Sequence, residues 1–194
     1  MRVLLATRNA GKIEELRRIL AEAAPSVELV GLDAVEAYPE TPETELTFAA
    51  NALLKAHDGA ARTGLPTIAD DSGLAVDALN GMPGVLSARW AGRAKDDEAN
   101  NTLLLDQLAD LDDAGRGAKF VCAAALAWPD GRETVVHGEM PGRIGHEPRG
   151  ANGFGYDPLF IPEGYEVTSA ELSPEEKNAI SHRGKAFREL AARL

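Results

Sequence analysis

Pro66-Thr67-Ile68-Ala69-Asp70-Asp71-Ser72-Gly73 is the stretch whose reading decides the fold: a short apolar run that ends in two adjacent carboxylates and a Ser-Gly pair. The run predicts a strand over Thr67 to Ala69, a turn near Gly73 and a second strand over Leu74 to Leu79. Side chains alternate along a strand, so Asp70 and Asp71 point in opposite directions. One then projects at the strand end and is open to chemistry, while the other serves structure, for instance in an Asx-type turn. A lone carboxylate so placed suits a hard cation such as Mg²⁺, which takes one or two carboxylates and leaves its other positions to water and phosphate.

Working outward, the N-terminus reads as a strand over Arg2 to Ala6, a loop over Thr7 to Gly11, and a helix carrying Ile13, Leu16, Ile19 and Leu20 that ends at Pro25. Val27 to Val30 predicts a second strand. A proline-containing acidic loop over Glu36 to Glu45 leads into a helix from about Leu46 to Thr63. Past the central stretch, Gly81-Met82-Pro83-Gly84 marks a turn and Asp96 to Leu111 has helical spacing. Two strands, Phe120 to Trp128 and Glu133 to Val136, flank the hairpin signal Pro129-Asp130-Gly131. The last helix opens with Ser173 as N-cap, Pro174 at its first position and Glu176 closing a capping box, and a break is expected between Ser181 and Gly184. The pattern implies an α/β or mixed α+β fold around a mixed β-sheet. With 194 residues the chain suffices for one domain over 1–194, or two lobes around one sheet.

Composition narrows the partners. Hydrophobic residues are 44% and charged residues 26%, ordinary for a globular protein, and the net charge of −11 repels nucleic acid and anionic membrane. Any phosphate-bearing ligand must therefore meet a local basic cluster, which suits a small nucleotide better than a polymer. No apolar run reaches the length of a membrane span, and no signal-peptide pattern precedes the first strand, so a cytoplasmic location is expected. Cys122, the single cysteine, sits in an apolar strand-like run and reads as a core residue. His57, His137 and His146 have no spacing suited to zinc.

Three further segments carry candidate chemistry. Thr7-Arg8-Asn9-Ala10-Gly11-Lys12 joins a strand to a helix, where free N–H groups and the helix dipole attract phosphate, although it lacks the Walker A pattern and equally fits an ordinary turn. Asn51 and Lys55 share one helix face, with Glu43 and Glu45 just before it, and either glutamate is placed to join Asp71 on a metal. Gly150-Ala151-Asn152-Gly153-Phe154-Gly155-Tyr156-Asp157-Pro158 sets two aromatics among glycines; Phe154 and Tyr156 offer ring faces for a base, or else anchor a surface loop. Lys177, Ser181, His182 and Arg183 gather at the final helix and its break, where His182 and Arg183 are donors suited to a carbonyl edge or a phosphate.

Taken together these blocks resemble the inosine/xanthosine triphosphate pyrophosphatase family from Val3 to about Ala186. The resemblance rests on Ala6-Thr7-Arg8-Asn9-Ala10-Gly11-Lys12, Thr47-Phe48-Ala49-Ala50-Asn51-Ala52 with Lys55, Ala69-Asp70-Asp71-Ser72-Gly73, Met82 to Trp90, Gly153 to Pro158 and Ser181-His182-Arg183-Gly184. It implies a long mixed sheet flanked by helices in two lobes, a nucleotide cleft between them, a homodimer, and hydrolysis of aberrant purine triphosphates (ITP, dITP, XTP) to monophosphate and pyrophosphate. By position it implies that Thr7, Arg8, Asn9, Ala10, Gly11 and Lys12 cradle the triphosphate, with Lys55 and Lys177 as further phosphate contacts. Asp71 becomes the catalytic carboxylate and Mg²⁺ ligand, with Glu43 assisting and Ser72 touching substrate. Phe154, Gly155, Tyr156 and Asp157 hold base and sugar, and His182 and Arg183 recognise the base. The chain departs from the family pattern at Glu45, where glycine is common, and at Ala50, where an acidic residue is common. Two other readings stand beside this one: an aspartyl-nucleophile phosphatase releasing orthophosphate, and a nucleotide-binding regulatory module without turnover.

Overall fold

The computed structural model describes residues 1–10 and 12–194. Strands β1 (Arg2–Leu5), β2 (Glu28–Val30), β3 (Thr67–Val76), β4 (Gly117–Ala127), β5 (Glu133–Ile144) and β6 (Phe160–Pro162) form one sheet in the order β2-β1-β3-β4-β5-β6. The helices are α1 (Ala10–Ala23), α2 (Phe48–Thr63), α3 (Asp97–Gln107), α4 (Pro174–Ile180) and α5 (His182–Ala191). β1 pairs parallel with β2 and β3, and β5 antiparallel with β6, so the sheet is mixed as the sequence pattern implied. Parallel neighbours cannot be joined by a tight turn, and α1 and α2 supply the long connections. Among the described residues no helix is long and apolar enough to cross a membrane.

The central stretch differs from its expectation. β3 does not end at the carboxylates: Asp70, Asp71, Ser72 and Gly73 are four interior residues of a ten-residue strand. The chain turns later, where Asn80 and Gly81 take positive φ and Gly81 N–H donates to Val76 C=O. Charge compensation, described below, lets the two aspartates stay in a strand that a propensity argument would have stopped. β5 likewise runs well past Val136, and the three-residue β6 was missed because it is too short to show alternation. The hairpin at Pro129-Asp130-Gly131 is present, with Gly131 at φ 90° and its N–H donating to Trp128 C=O. So is the Ser173–Glu176 capping box, with Pro174 at the helix start. The break in the last helix falls at Ser181.

By contacts the chain divides into two compact units, the first comprising 1–71, 122–138 and 183–194 and the second 72–121 and 139–182. β3, β4 and β5 each run from one unit into the other. In the first unit Val3, Leu5, Leu16, Leu20, Ile68, Leu126 and Phe187 share one apolar cluster with the buried Cys122. A second cluster is almost all alanine, with Ala52, Ala56 and Ala60 of α2 meeting Ala69, Ala123, Ala125 and Ala127 of the sheet. Small side chains let this helix lie close to the strands: a Cβ on Gly59 would sit 2.7 Å from Thr67 Cγ2.

The second unit packs Leu74, Val76, Leu104, Leu108, Phe120, Met140, Tyr156 and Phe160 together. Arg116 is buried beside them and donates to four backbone carbonyls: Ile144 (2.9 Å), Leu108 (2.6 Å), Leu111 (3.3 Å) and Gly145 (2.8 Å). No single ammonium can reproduce that planar fork. Arg116→Ala is expected to cost about 3–5 kcal/mol in chemical denaturation, from orphaned carbonyls plus a cavity. Arg116→Lys should recover less than half of it, and full recovery by lysine would show that charge alone is what matters there.

Candidate active site

In the first unit, α1, the loop before α2, α2, β3 and the start of α5 bring four carboxylates and three cations together. Lys12, from the first turn of α1, donates from Nζ to Asp70 Oδ2 at 2.8 Å. Arg183, near the start of α5, lies 3.7 Å from the same Asp70 oxygen through Nε and donates to Glu15 Oε2 at 3.1 Å. Lys55, on α2, donates to Glu43 Oε1 at 2.6 Å. Asp71 accepts from Asn51 Nδ2 at 3.0 Å.

Asn51 is 1% exposed and does more than face a ligand. Its Oδ1 accepts from Glu45 N–H (2.9 Å) and its Nδ2 also donates to Glu45 C=O (3.3 Å). One amide thus ties the loop that carries Glu43 to the strand that carries Asp71. Thr41 Oγ1, donating to Asp58 on α2 at 2.6 Å, fastens the same loop further back. The spacing of Asn51 and Lys55 is visible in the sequence, but the clasp it makes is not.

The two adjacent aspartates have opposite electrostatics. Burial pushes the Asp70 carboxyl up, but the charges of Lys12, Arg183 and Lys55, with the Lys12 hydrogen bond, outweigh it and hold the group well below the usual carboxylate range. For Asp71 burial is again the largest influence; Glu43 adds to it, Lys55, Lys12 and the Asn51 bond oppose it, and the carboxyl is pushed up to about 6. Burial pulls the Lys55 ammonium down, yet Asp70, Glu43 and Asp71 together leave it raised. So Asp70 is spent on ion pairing, and the excess negative charge collects at Asp71 and Glu43.

That excess is what a divalent cation would neutralise. Among the described residues no three His, Cys, Asp or Glu side chains cluster as a closed metal cage. Two carboxylates of like charge, repelling each other, fit Mg²⁺, which keeps waters and takes phosphate oxygens for its remaining positions. Glu45, the other glutamate considered for this role, is exposed and contributes through its backbone.

The second unit holds the aromatic loop. Asp157 Oδ2 accepts from Phe154 N–H at 3.0 Å and from Lys177 Nζ at 2.6 Å, and Lys177 Nζ lies 5.2 Å from the centre of the Phe154 ring. Gly153 at φ 73° has to be glycine, since a Cβ there would meet the Asp157 carboxylate. His182 is buried and stacks on Phe120, with ring centres 4.9 Å apart and planes at 10°.

Several expectations need correction. Tyr156 presents no ring face: it is 5% exposed in the apolar cluster, and its hydroxyl donates to Ser87 C=O at 2.7 Å. Burial, with Asp97 adding, pushes that hydroxyl above its ordinary range, as befits a core anchor. Lys177 pairs with Asp157 and lies over the Phe154 ring. Arg183 pairs with Asp70 and Glu15, and its neighbour His182 packs on Phe120. Arg8 is turned to the loop before α2, donating to Tyr38 C=O at 2.5 Å and lying 5.9 Å over its ring. Asn9 caps α1 by accepting from Lys12 N–H at 3.2 Å, while Thr7 is half-buried and Ala10 exposed at the helix start. Ser72 follows Asp71 along β3, half-buried. The expectation placed on Gly11 lies outside the described residues. Sequence reading passed over Glu15, Asp97, Asn101 and Phe120, whose partners are far away in the chain.

The model of the Ham1 family matches residues 3–193. A dITP/XTP pyrophosphatase of Nocardia farcinica is 63% identical over 194 residues, covering 100% of this chain and 94% of the relative. One of Streptomyces avermitilis is 64% identical over 189 residues, covering 97% and 94%. Among solved structures, the nucleoside-triphosphatase / dITP/XTP pyrophosphatase of Mycobacterium abscessus superposes with a TM-score of 0.80 at 57% identity, covering 98% of each chain. The Staphylococcus aureus Ham1 protein gives 0.88 at 40% identity, covering 99% of this chain and 97% of that one.

Proposed function

This chain belongs to the Ham1 family, and we propose that it is a nucleoside triphosphate pyrophosphatase that converts non-canonical purine triphosphates (dITP, ITP and XTP) to the monophosphate and pyrophosphate, clearing them from the nucleotide pool. Relatives that match this chain end to end at 63–64% identity carry the name dITP/XTP pyrophosphatase. The observation that carries the chemistry is the buried Asp71, tied through Asn51 to the loop that carries Glu43, with Lys55 on Glu43 and Lys12 on the adjacent Asp70.

Asp71 and Glu43 would hold Mg²⁺, which when bound neutralises phosphate oxygens and polarises a water for attack on the α-phosphorus. Asn51 keeps Asp71 and the Glu43 loop in register through its three hydrogen bonds. Lys12 and Lys55 neutralise charge developing on the leaving pyrophosphate, each being already held by a carboxylate partner. The start of α1, from Thr7 to Lys12, offers phosphate its dipole and backbone N–H groups. Asp70, itself braced by Arg183, holds Lys12 in place. Phe154 gives a face to the purine, Lys177 and Asp157 support it, and His182 donates to the 6-oxo group. The 6-amino group of adenine would leave such a donor unpaired, which disfavours ATP. The family resemblance further supports a cytoplasmic homodimer.

The test is release of pyrophosphate and orthophosphate from inosine, xanthosine, guanosine and adenosine triphosphates with and without Mg²⁺. Metal-dependent pyrophosphate release, with kcat/KM for inosine and xanthosine substrates at least about 10²-fold above adenosine, is expected. Orthophosphate as the main product would favour an aspartyl phosphatase instead. Nucleotide binding without any release would make the protein a regulatory module.

A further inference from the structure

Asp97 and Asn101 lie four residues apart on α3, hence on one face of the helix. They grip the two polar groups of a single residue. Asp97 Oδ2 accepts from Gly155 N–H at 2.8 Å, and Asn101 Nδ2 donates to Gly155 C=O at 3.0 Å. Gly155 sits at φ 62°, a left-handed conformation open to glycine at no cost, but a glycine there can equally adopt others, and the two side chains select this one. Nothing lies within 4 Å of where its Cβ would be, so that side of the residue is open and its fixed contacts are the two polar ones. With the Asp157 bond to Phe154 N–H, three of the four backbone polar groups of Phe154 and Gly155 are pinned by side chains.

The grip has a cost, which argues that it is kept for a purpose. Asn101 is 9% exposed, and its Oδ1 is buried with no hydrogen-bond partner. A buried orphan acceptor costs about 1–3 kcal/mol. Turning the amide over would face its oxygen to the Gly155 carbonyl, so the bond to Gly155 sets the orientation. The preceding residue works similarly on another loop: Asn100 Oδ1 accepts from Ala91 N–H at 2.6 Å and its Nδ2 donates to Ala88 C=O at 3.1 Å. α3 spends its polar face on fastening loops.

We propose that Asp97 and Asn101 are positioning residues for purine recognition: they set the Phe154–Gly155 peptide, and so the Phe154 ring, before nucleotide binds. The inference rests on the reading of Phe154 as the base platform. A loop ordered in advance gives up less entropy on binding, so the effect falls on nucleotide affinity and base choice rather than on the chemical step.

The experiment measures kcat and KM for ITP and ATP, and IMP affinity by calorimetry, for Asp97→Ala, Asp97→Asn, Asn101→Ala and Phe154→Ala, each checked for folding by thermal melting. Asp97→Ala and Asn101→Ala are expected to raise KM for ITP and weaken IMP binding roughly tenfold, with kcat within about threefold of wild type and the preference for ITP over ATP reduced. Asp97→Asn should stay within about threefold throughout, because its amide oxygen still accepts from Gly155 N–H. If Phe154→Ala raises KM but the two alanine variants on α3 do not, the positioning role is wrong and the base platform stands. Equal losses on ITP and ATP that track a lowered melting temperature would likewise overturn it in favour of a structural role. If Phe154→Ala leaves KM and IMP binding unchanged, the base platform itself is wrong and the inference falls with it.

Discussion

Asp71→Asn is expected to lower kcat on the order of 10³-fold while making the metal-free protein more stable. Both effects come from one arrangement. Burial, with Glu43 adding to it, outweighs Lys55, Lys12 and the Asn51 bond, so that the carboxyl is pushed up to about 6 from an ordinary 3.8. The folded state therefore holds that proton more tightly than the unfolded chain does. Stability of the metal-free wild type should fall as pH rises from about 4 to about 6 and then level off. The rise in pKa corresponds to about 3 kcal/mol at neutral pH. The neutral amide has nearly the same shape and can still accept from Asn51, so the variant escapes much of this cost and should lose the fall between pH 4 and 6. Denaturation in the presence of a chelator reads the stability, and pyrophosphate release with saturating Mg²⁺ reads the activity. A variant that turns over within tenfold of wild type would remove Asp71 from the catalytic role, and one that melts lower would sink the argument from burial.

For the neighbouring residue the sign reverses. Asp70→Asn is expected to destabilise the protein by about 3–5 kcal/mol, because it leaves Lys12 and Arg183 buried without their shared carboxylate. Burial works against this group's charge, but Lys12, Arg183 and Lys55 overcome it and keep it ionised far below the usual range. Its contribution is therefore complete above the ordinary carboxylate pKa of about 4 and is lost as pH falls below that value. Acid unfolding of wild type should be steep below pH 4, and the variant should be flatter there. Two substitutions of the same chemistry, one residue apart, thus give opposite stability changes in the same denaturation experiment. Parallel changes would show that the two environments are not distinct.

How much of this was legible in advance depends on the range of the interaction. Helix starts, the hairpin at Asp130-Gly131 and the loop character of Gly150 to Pro158 are local matters of capping, φ preference and periodicity, and they read directly from the chain. The course of β3 did not, because what keeps Asp70 and Asp71 in a strand interior is charge supplied by α1, α2 and α5. Lys177 and Tyr156 were read by residue type, as a phosphate ligand and a stacking ring. Their partners, Asp157 and Ser87, instead draw one beneath a loop and the other into the core. Asp97 and Asn101 carry no local signal, since acidic and amide residues on a helix are usually solvated.

The amino-acid sequence by itself determined the fold class, the residue set from which a site can be built, and the family to which the chain belongs, since periodicity and ordered motifs are properties of the linear chain. Only the tertiary structure decided which carboxylate is ion-paired and which is raised toward neutrality, and which lysine serves the carboxylate cluster and which the aromatic loop. It also decided that Arg183 pairs with Asp70 and Glu15 while His182 stacks on Phe120. These are questions of burial and of distances between segments remote in sequence, and in a desolvated interior a few ångströms settle the charge state of a side chain.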